Sequence, residues 1–387
     1  MKTSSTRRRK SKSVSVLFVA PDYHTSFTYR DHLRRLGIKS DIYVPRTYPE
    51  HMLYAQDVIR EPRTWGRAAP FRALNVIVAF VHFQLIGLRY RFHIHYGALQ
   101  TPTSLEDVRI RSRRSRSGFH LGLAVAKGLG RKMVYVPSGC RDEDLKSSFL
   151  EVEEGKICNN CGFFDRCDDS NIEPLLARAR RYAGLSLSHG FFASRSIETM
   201  PLPYEVIDLD RWKSAPIVLN HGNVIRVVHS HSLQTRQTGG RNIKGTPAIR
   251  EAMTKIKREF SFVEFEELTN ISPADMRYKQ AEAHIVIDQL IYGHWGTTAI
   301  EAMSLGKAVI CYLRPDWEQN FRRNFPEIGE IPVISATPEN VYTVVRDLIQ
   351  NPNEITRLGR AAREFAEKQF DVSKNVVELL RALDEIS

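Results

Sequence analysis

The chain is poor in cysteine, with five in 387 residues. Small disulfide-stabilised domains are dense in cysteine, so we expect no disulfide framework and predict a reducing, cytoplasmic compartment. The chain also lacks an uninterrupted apolar run that could span a bilayer, because Asn75, His82 and Gln84 break the longest one, residues 73–88. We interpret that run as a buried or surface-lying helix. Residues 1–13 contain no apolar stretch, and we therefore do not expect a secretory signal.

Acidic residues are outnumbered, with 44 Asp and Glu against 56 Lys and Arg, which gives a formal net charge of +12. Much of the excess lies in residues 7–12 and 111–116. Each run alone is most simply a solvated tail or loop, but together they suit a polyanionic partner, either anionic lipid or nucleic acid. No nucleic-acid-binding motif accompanies them. We therefore expect no nucleic-acid partner and predict contact with an anionic membrane surface, the inner face of the cell membrane.

The loop after the first predicted strand, residues 14–20, lacks Gly-x-Gly-x-x-Gly, so we expect no dinucleotide cofactor in this half. From that strand onward, strand and helix patterns alternate, which indicates an α/β fold with parallel sheets. The length suffices for two domains with full cores. We predict a basic tail at 1–13, a first domain at 14–205 with a cysteine-rich insertion, a linker at 206–221, a second domain at 222–370 and a C-terminal helix at 371–387.

Residues 284–313 are the most informative part of the chain. A short apolar run ending at Asp288 reads as a buried parallel strand. Gly296 closes a glycine turn, and Thr297 and Thr298 then open a helix, whose first backbone N–H groups have no intrahelical partner. Such a helix start binds phosphate. Glu301 follows Thr297 by four residues and therefore lies on the same helix face.

The string Gly296-Thr-Thr-Ala-Ile-Glu301-Ala-Met-Ser-Leu-Gly306-Lys-Ala-Val-Ile310 resembles the donor-nucleotide subsite of GT-B glycosyltransferases, most closely those of family 4. The resemblance implies an α/β fold with two Rossmann-like domains facing a central cleft. It also implies that the second domain binds a nucleotide-sugar donor, with Glu301 on the donor ribose, and that the first domain binds the acceptor. Transfer would retain the anomeric configuration and would need no metal ion.

One departure from the family concerns the sugar ring. Retaining members usually carry a Glu-x7-Glu pair, but the position eight residues before Glu301 is Gly293. The glutamate that contacts the sugar therefore has no counterpart side chain here. We consider Asp288 and the backbone around His294 as candidate substitutes.

The segment Arg241-Asn-Ile-Lys244-Gly245-Thr246 places two cations beside a glycine and a predicted helix start. Arginine can bind two oxygens and lysine supplies a point charge, so this arrangement suits a diphosphate. The family has a corresponding Arg…Lys-Gly pair, which neutralises the leaving nucleoside diphosphate in place of a metal ion. The resemblance thus implies catalytic roles for Arg241 and Lys244 and requires no catalytic cofactor.

Two histidine pairs end predicted strands. Strand alternation places His93 and His95 on one face. The resemblance implies that His95 faces the sugar and the acceptor, although a packed histidine explains the pattern equally well. His229 and His231 form a similar pair, which either contacts the diphosphate or lines the cleft.

Four of the five cysteines lie close together in sequence. Cys158-Asn-Asn-Cys161-Gly has the spacing of a zinc knuckle, and Cys167 and Cys140 could complete four ligands. A structural zinc site and reduced cytosolic thiols are equal alternatives here.

The resemblance therefore implies a hexosyltransferase-type enzyme of polysaccharide biosynthesis that moves a sugar from a nucleotide-sugar to a saccharide or lipid-linked acceptor. The missing glutamate keeps open a GT-B-like nucleotide-sugar epimerase or a non-catalytic relative. Turnover of nucleotide-sugar without any acceptor would indicate the epimerase. Basic charge alone gives the weaker argument for a nucleic-acid-binding protein.

Overall fold

The computed structural model describes residues 14–21, 24–45, 53–62, 69–97, 118–137, 139–188, 199–202, 205–214, 217, 219, 224–231, 237–238, 241–269 and 271–387. The basic runs at 7–12 and 111–116, on which the predicted membrane contact rested, lie outside these residues.

The first half of the chain forms a seven-stranded parallel sheet. Its strands are β1 (Ser15–Val19), β2 (Lys39–Val44), β3 (Ile59–Arg60), β4 (Phe92–Tyr96), β5 (Lys132–Val136), β6 (Ala183–Ser188) and β7 (Met200–Pro201). They lie in the order β3-β2-β1-β4-β5-β6-β7. The α-helices of this half are α1 (Thr25–Arg35), α2 (Ala69–Gly87), α3 (Leu121–Gly128), α4 (Cys140–Glu143), α5 (Lys146–Glu151), α6 (Lys156–Asn159) and α7 (Asp169–Tyr182).

The second half forms a five-stranded parallel sheet and a small antiparallel pair. The sheet contains β8 (Ile225–Ser230), β11 (Val263–Leu268), β12 (Ile285–Ile287), β13 (Ala308–Ile310) and β14 (Val333–Ile334) in the order β11-β8-β12-β13-β14. The pair is β9 (Gln237–Thr238) and β10 (Arg241–Asn242). The helices are α8 (Thr246–Glu259), α9 (Pro273–Ala281), α10 (Thr297–Ser304), α11 (Pro315–Asn324), α12 (Val341–Gln350), α13 (Pro352–Gln369) and α14 (Val372–Glu385).

Each sheet has one point where the chain reverses its direction of strand addition. In the first sheet β2 and β3 add beside β1 on one side, and β4 onward add on the other. In the second sheet β11 adds on one side of β8, and β12 onward add on the other. Ligands of open α/β sheets bind outside the carboxyl ends of the strands at such switch points. The topology therefore points to the ends of β8 and β12 in the second half.

The carboxyl ends of the two sheets face each other. The amide of Cys140, which follows β5, donates a hydrogen bond of 3.2 Å to the hydroxyl of Tyr292, which follows β12. One apolar core also contains Phe149 and Ile157 from the first half together with Trp295 from the second. Residues 140–167, the cysteine-rich insertion, thus pack against the second half across the cleft.

The chain crosses back to the first half at its end. The amide of Ile207 donates to the carbonyl of Phe370, and the amide of Val372 donates to the carbonyl of Ile207. Helix α14 then buries an apolar stripe that includes Leu379 and Leu383 in the core beneath β1 and β4. An amphipathic helix at the chain end therefore completes the core of the domain where the chain begins.

Helix α2 agrees with the helix expected at 73–88, but it begins earlier, at Ala69. Ala79 and Phe83 are buried, whereas Ile77, Val81 and Leu85 are exposed on the opposite stripe. The run therefore lies on the surface of the first domain. Within the ranges that the structure describes, no helix combines the length and apolar character needed to cross a membrane.

We predict that Leu379→Ala destabilises the protein by about 2–5 kcal/mol, because it removes buried methyl groups and leaves a cavity in the first-domain core. Val377→Ala in the same helix is the matched control, since Val377 is 44% exposed. Urea denaturation followed by tryptophan fluorescence measures both variants. Equal midpoints for the two variants would show that α14 does not complete the core.

Candidate functional site

The carboxylate of Asp288 joins three segments at the switch point of the second sheet. Asp288 directly follows β12 and is fully buried. Its Oδ1 accepts a hydrogen bond of 2.9 Å from Lys244 Nζ, and its Oδ2 accepts one of 2.6 Å from the amide of Gly296. One side chain therefore fixes the strand end, the segment before α8 and the turn before α10.

The Lys244 ammonium lies at the start of α8. Its Nζ also donates to the carbonyl of Ser230, at the end of β8, at 3.1 Å. The Lys244 side chain keeps 26% of its surface exposed, so the charge is held in place and still reaches solvent. Gly245 has φ of +76°, and a Cβ there would lie 3.0 Å from Leu290 Cβ. Glycine is needed at this position both for the backbone conformation and for the space.

The start of α10 is the second polar element of the site. Gly296, Thr297 and Thr298 are partly exposed, unlike the buried residues that flank them. A Cβ on Gly296 would lie 3.1 Å from Asp288 Oδ2, so only glycine allows this close approach without displacing the carboxylate. The N–H groups at a helix start carry partial positive charge. With the Lys244 ammonium nearby, two helix N-termini and one cation meet at one place, which suits an anion such as a diphosphate.

Arg241 is placed at the edge of this site. Its guanidinium Nη1 lies 2.9 Å from Asp165 Oδ2 in the cysteine-rich insertion. Its Cζ lies 4.6 Å from the centre of the Phe164 ring. The side chain is therefore held between the two halves of the protein.

Glu301 is buried within α10, with 2% of its surface exposed. Gln280 Nε2 donates to its Oε2 at 2.9 Å, while its Oε1 has no hydrogen-bond partner among the described residues. Burial raises the pKa of Glu301 to about 8, against the opposing effects of the Gln280 hydrogen bond and of Lys244. The carboxyl group is therefore mostly protonated at neutral pH.

His229 and His231 support the site from inside. His229 Nδ1 lies 2.8 Å from the carbonyl of Ile287, so this nitrogen carries the proton, and Nε2 lies 2.9 Å from Thr246 Oγ1. Burial lowers the pKa of His229 to about 3, so the ring is neutral. His231 Nε2 lies 2.5 Å from Glu267 Oε1. His229 thus joins β12 to the first residue of α8, while a contact of this pair with a diphosphate or with the cleft stays a prediction.

His95 lies at the end of β4, beside the switch point of the first sheet. Its ring centre is 6.4 Å from that of His93, on the same strand face as alternation predicts. Both rings are buried. A role for His95 toward sugar or acceptor stays a prediction.

The cysteine-rich insertion does not form a metal-binding arrangement in the part of the chain that the structure describes, where no group of three or more His, Cys, Asp or Glu residues is placed to hold an ion. Cys140, Cys158 and Cys161 instead pack on the core shared by the two halves, and Cys167 packs on the core beneath α7. Burial, helped by the nearby Cys167 and Cys161, raises the pKa of Cys158 to about 11. This thiol is protonated at neutral pH, and the zinc site stays a prediction.

Three contributors to the site carry no local sequence signal. Gln280 in α9 bonds Glu301, yet a glutamine in a helix is common. Phe164 and Asp165 contact Arg241 although Asp165, the nearer of the two in sequence, is 76 residues away. Only the fold reveals that these side chains meet.

No protein-family model matches the sequence, and no curated protein matches it. Solved structures do share its fold. Anabaena HepE in complex with UDP-glucose is 12% identical, with a TM-score of 0.56 over 96% of this chain and 99% of that one. Sucrose-phosphate synthase from Thermosynechococcus elongatus is also 12% identical, with a TM-score of 0.57 over 96% of this chain and 100% of that one.

A structure assigned as a UDP-N-acetylglucosamine 2-epimerase from Listeria monocytogenes shares the fold too. It is 10% identical, with a TM-score of 0.52 over 96% of both chains. These likenesses confirm the GT-B fold that the sequence predicted, with two Rossmann-like domains facing a cleft.

We predict that Glu301 makes the stability of the protein pH-dependent. Between 4.5, the ordinary pKa of a glutamate, and a pKa of about 8 the folded state retains the proton that the unfolded state loses, so the free energy of unfolding falls as pH rises through this window. Glu301→Gln removes this titration. Relative to wild type, the variant should gain a few kcal/mol of stability between pH 5 and pH 8. Urea titrations at several pH values measure the difference, and a pH-independent difference would contradict the assignment.

Proposed function

We propose that the protein is a glycosyltransferase that transfers a hexose from a nucleotide-sugar bound at the switch point of the second sheet. The observation that carries this proposal is the Asp288 carboxylate, which holds Lys244 and the Gly296 amide together. The proposed donor places its diphosphate between the Lys244 ammonium and the N–H groups of Thr297 and Thr298.

The proposed chemistry follows from this charge distribution. When the bond between the anomeric carbon and the diphosphate oxygen breaks, negative charge develops on the departing nucleoside diphosphate. Lys244 and Arg241 supply fixed positive charge at that place, so the proposal requires no metal ion. The proposed contact between Glu301 and the ribose hydroxyls would favour the ionised carboxylate, because hydroxyl groups donate to it. Retention of configuration rests on the family resemblance.

A nucleotide-sugar epimerase is a second candidate, favoured by one observation. Gly293, at the position of the sugar-contacting glutamate, has φ of +96°, and a Cβ there would lie 2.8 Å from Arg314 Cβ. A glutamate cannot be accommodated at this position, so the usual sugar contact is absent for a structural reason. Incubation with nucleotide-sugar alone separates the candidates, because an epimerase changes the sugar without acceptor and a transferase does not.

We predict that Lys244→Ala weakens the binding of a nucleoside diphosphate by about 10–100-fold, the value of one charge-assisted hydrogen bond. Asp288→Asn should act in the same direction, because it removes the charge that fixes Lys244. Calorimetry with UDP, GDP, ADP and TDP measures both. Lys255→Ala serves as the control, since Lys255 forms an exposed ion pair with Glu251 in α8. Wild-type affinity in both site variants would refute the proposed donor site.

The proposal extends to a lipid-linked acceptor at the inner membrane face. The exposed apolar stripe of α2 includes Ile77, Val81 and Leu85, spaced four residues apart along one face. Leu88 and Leu129 are exposed too, and they lie close to each other, since both carbonyls accept hydrogen bonds from the Arg131 guanidinium. Arg89, next to Leu88, and Lys127, two residues before Leu129, are exposed. An apolar stripe bordered by cations matches the boundary of an anionic leaflet.

We predict that the protein binds vesicles containing phosphatidylglycerol more tightly than vesicles of phosphatidylcholine alone, and that added salt weakens this binding. Ile77→Ser with Leu85→Ser should reduce the binding at least about tenfold, because two apolar side chains no longer enter the lipid. Leu36→Ser, at an exposed leucine outside the stripe, is the control. Deleting residues 1–12 tests the basic tail in the same assay. Equal sedimentation with both vesicle types would reject the membrane contact.

A further inference from the structure

The cysteine-rich insertion contacts the second half beside the proposed donor site at three places. The Cys140 amide bonds the Tyr292 hydroxyl, and the Tyr312 hydroxyl donates to the Glu153 carboxylate. The third contact is the ion pair of Arg241 with Asp165. Tyr292 immediately precedes the glycine turn and Tyr312 follows β13, so the insertion lies against the segments that form the site.

The Phe164 ring holds two cations from different elements. Arg241 Cζ lies 4.6 Å from its centre, and Lys146 Nζ lies 3.8 Å from it. Lys146 Nζ also donates to the Phe164 carbonyl at 2.9 Å, which fixes the segment from its own side. Stacking on an aromatic face restricts a guanidinium while leaving its N–H groups able to bind acceptors.

The Asp165 side chain is held less firmly than Phe164. Its side chain is 80% exposed, although its Oδ2 lies 2.9 Å from Arg241 Nη1. An exposed ion pair of this kind contributes little net stability. A diphosphate carries more charge than one carboxylate and offers oxygens for two-point binding by arginine. It would therefore replace Asp165 at the guanidinium.

We infer that Phe164 positions Arg241 for the donor, and that Asp165 is an internal counterion which the donor diphosphate displaces. This inference rests on the proposed donor site. It makes the insertion a part of that site and gives its two neighbouring residues opposite effects on donor affinity. Phe164 increases the affinity by keeping the guanidinium in place, and Asp165 decreases it by competing for the same N–H groups.

The two residues are tested by calorimetry with the nucleoside diphosphate that binds most tightly among UDP, GDP, ADP and TDP. Asp165→Asn should tighten binding about two- to fivefold, because the competing charge is gone. Asp165→Glu should retain wild-type affinity. Phe164→Leu should weaken binding about three- to tenfold through loss of the cation–π contact. Glu173→Gln is the matched control, since it also removes a carboxylate from an exposed ion pair, with Arg180.

A double variant separates competition from a structural effect. In the Arg241→Ala background, Asp165→Asn should change nothing, because there is no guanidinium to compete for. If Asp165→Asn alone leaves binding unchanged or weakens it, the inference is overturned. The proposed donor site still stands in that case, provided that the wild-type protein binds the nucleotide. If Arg241→Ala binds with wild-type affinity while Lys244→Ala binds more weakly, the inference is likewise overturned and the proposed donor site stands. Failure of the wild type to bind any of the four nucleotides would remove the proposed donor site and the inference together.

Discussion

The buried carboxylate of Asp288 is the interaction on which the proposed donor site depends. A buried charge is unfavourable unless a partner compensates it, and here Lys244 Nζ and the Gly296 amide share that role. The same two bonds bring together the segment before α8 and the turn before α10. Lys244 also donates to the carbonyl of Ser230 at the end of β8, so this carbonyl and the carboxylate together hold the ammonium at the switch point. The arrangement of these three segments and the geometry for an anion thus depend on the same carboxylate.

The cysteine-rich insertion links this site to the other half of the protein. It belongs by sequence to the first half, yet Phe149 and Ile157 contribute to the same core as Trp295. Helix α14 connects the halves in the opposite direction, with Leu379 in the core of the first domain. Each half therefore completes its packing with a segment from the other half. The proposed donor and acceptor sides are consequently coupled through packing as well as through ligand.

Sequence reasoning reached the fold and the polar residues of the second half because their signals are local. The strands at 15–19 and 285–287 are short apolar runs, and glycines mark the starts of α8 and α10. Helix α7 was not anticipated, since its arginines and Pro174 obscure the apolar period. The partners Gln280 and Asp165 could not be found either, because their contacts join distant segments and leave no spacing to read. The burial of Glu301 could not be predicted from the sequence either, because it follows from packing and not from the residues next to it in the chain.

The structure also narrows what could replace the absent sugar-contacting glutamate. Asp288 is fully buried and both of its oxygens already accept hydrogen bonds, so it is poorly placed to bind a sugar hydroxyl. The carbonyl of His294 accepts from Gln289 Nε2 at 2.5 Å and from Cys311 Sγ at 3.4 Å. The Asp288 carboxylate and the His294 carbonyl are therefore both already engaged, and a sugar contact by the other backbone groups around His294 stays a prediction. Under the proposed function, the insertion is a further source for the sugar contact, because it packs against the second half beside the site through the Cys140 amide and Asp165.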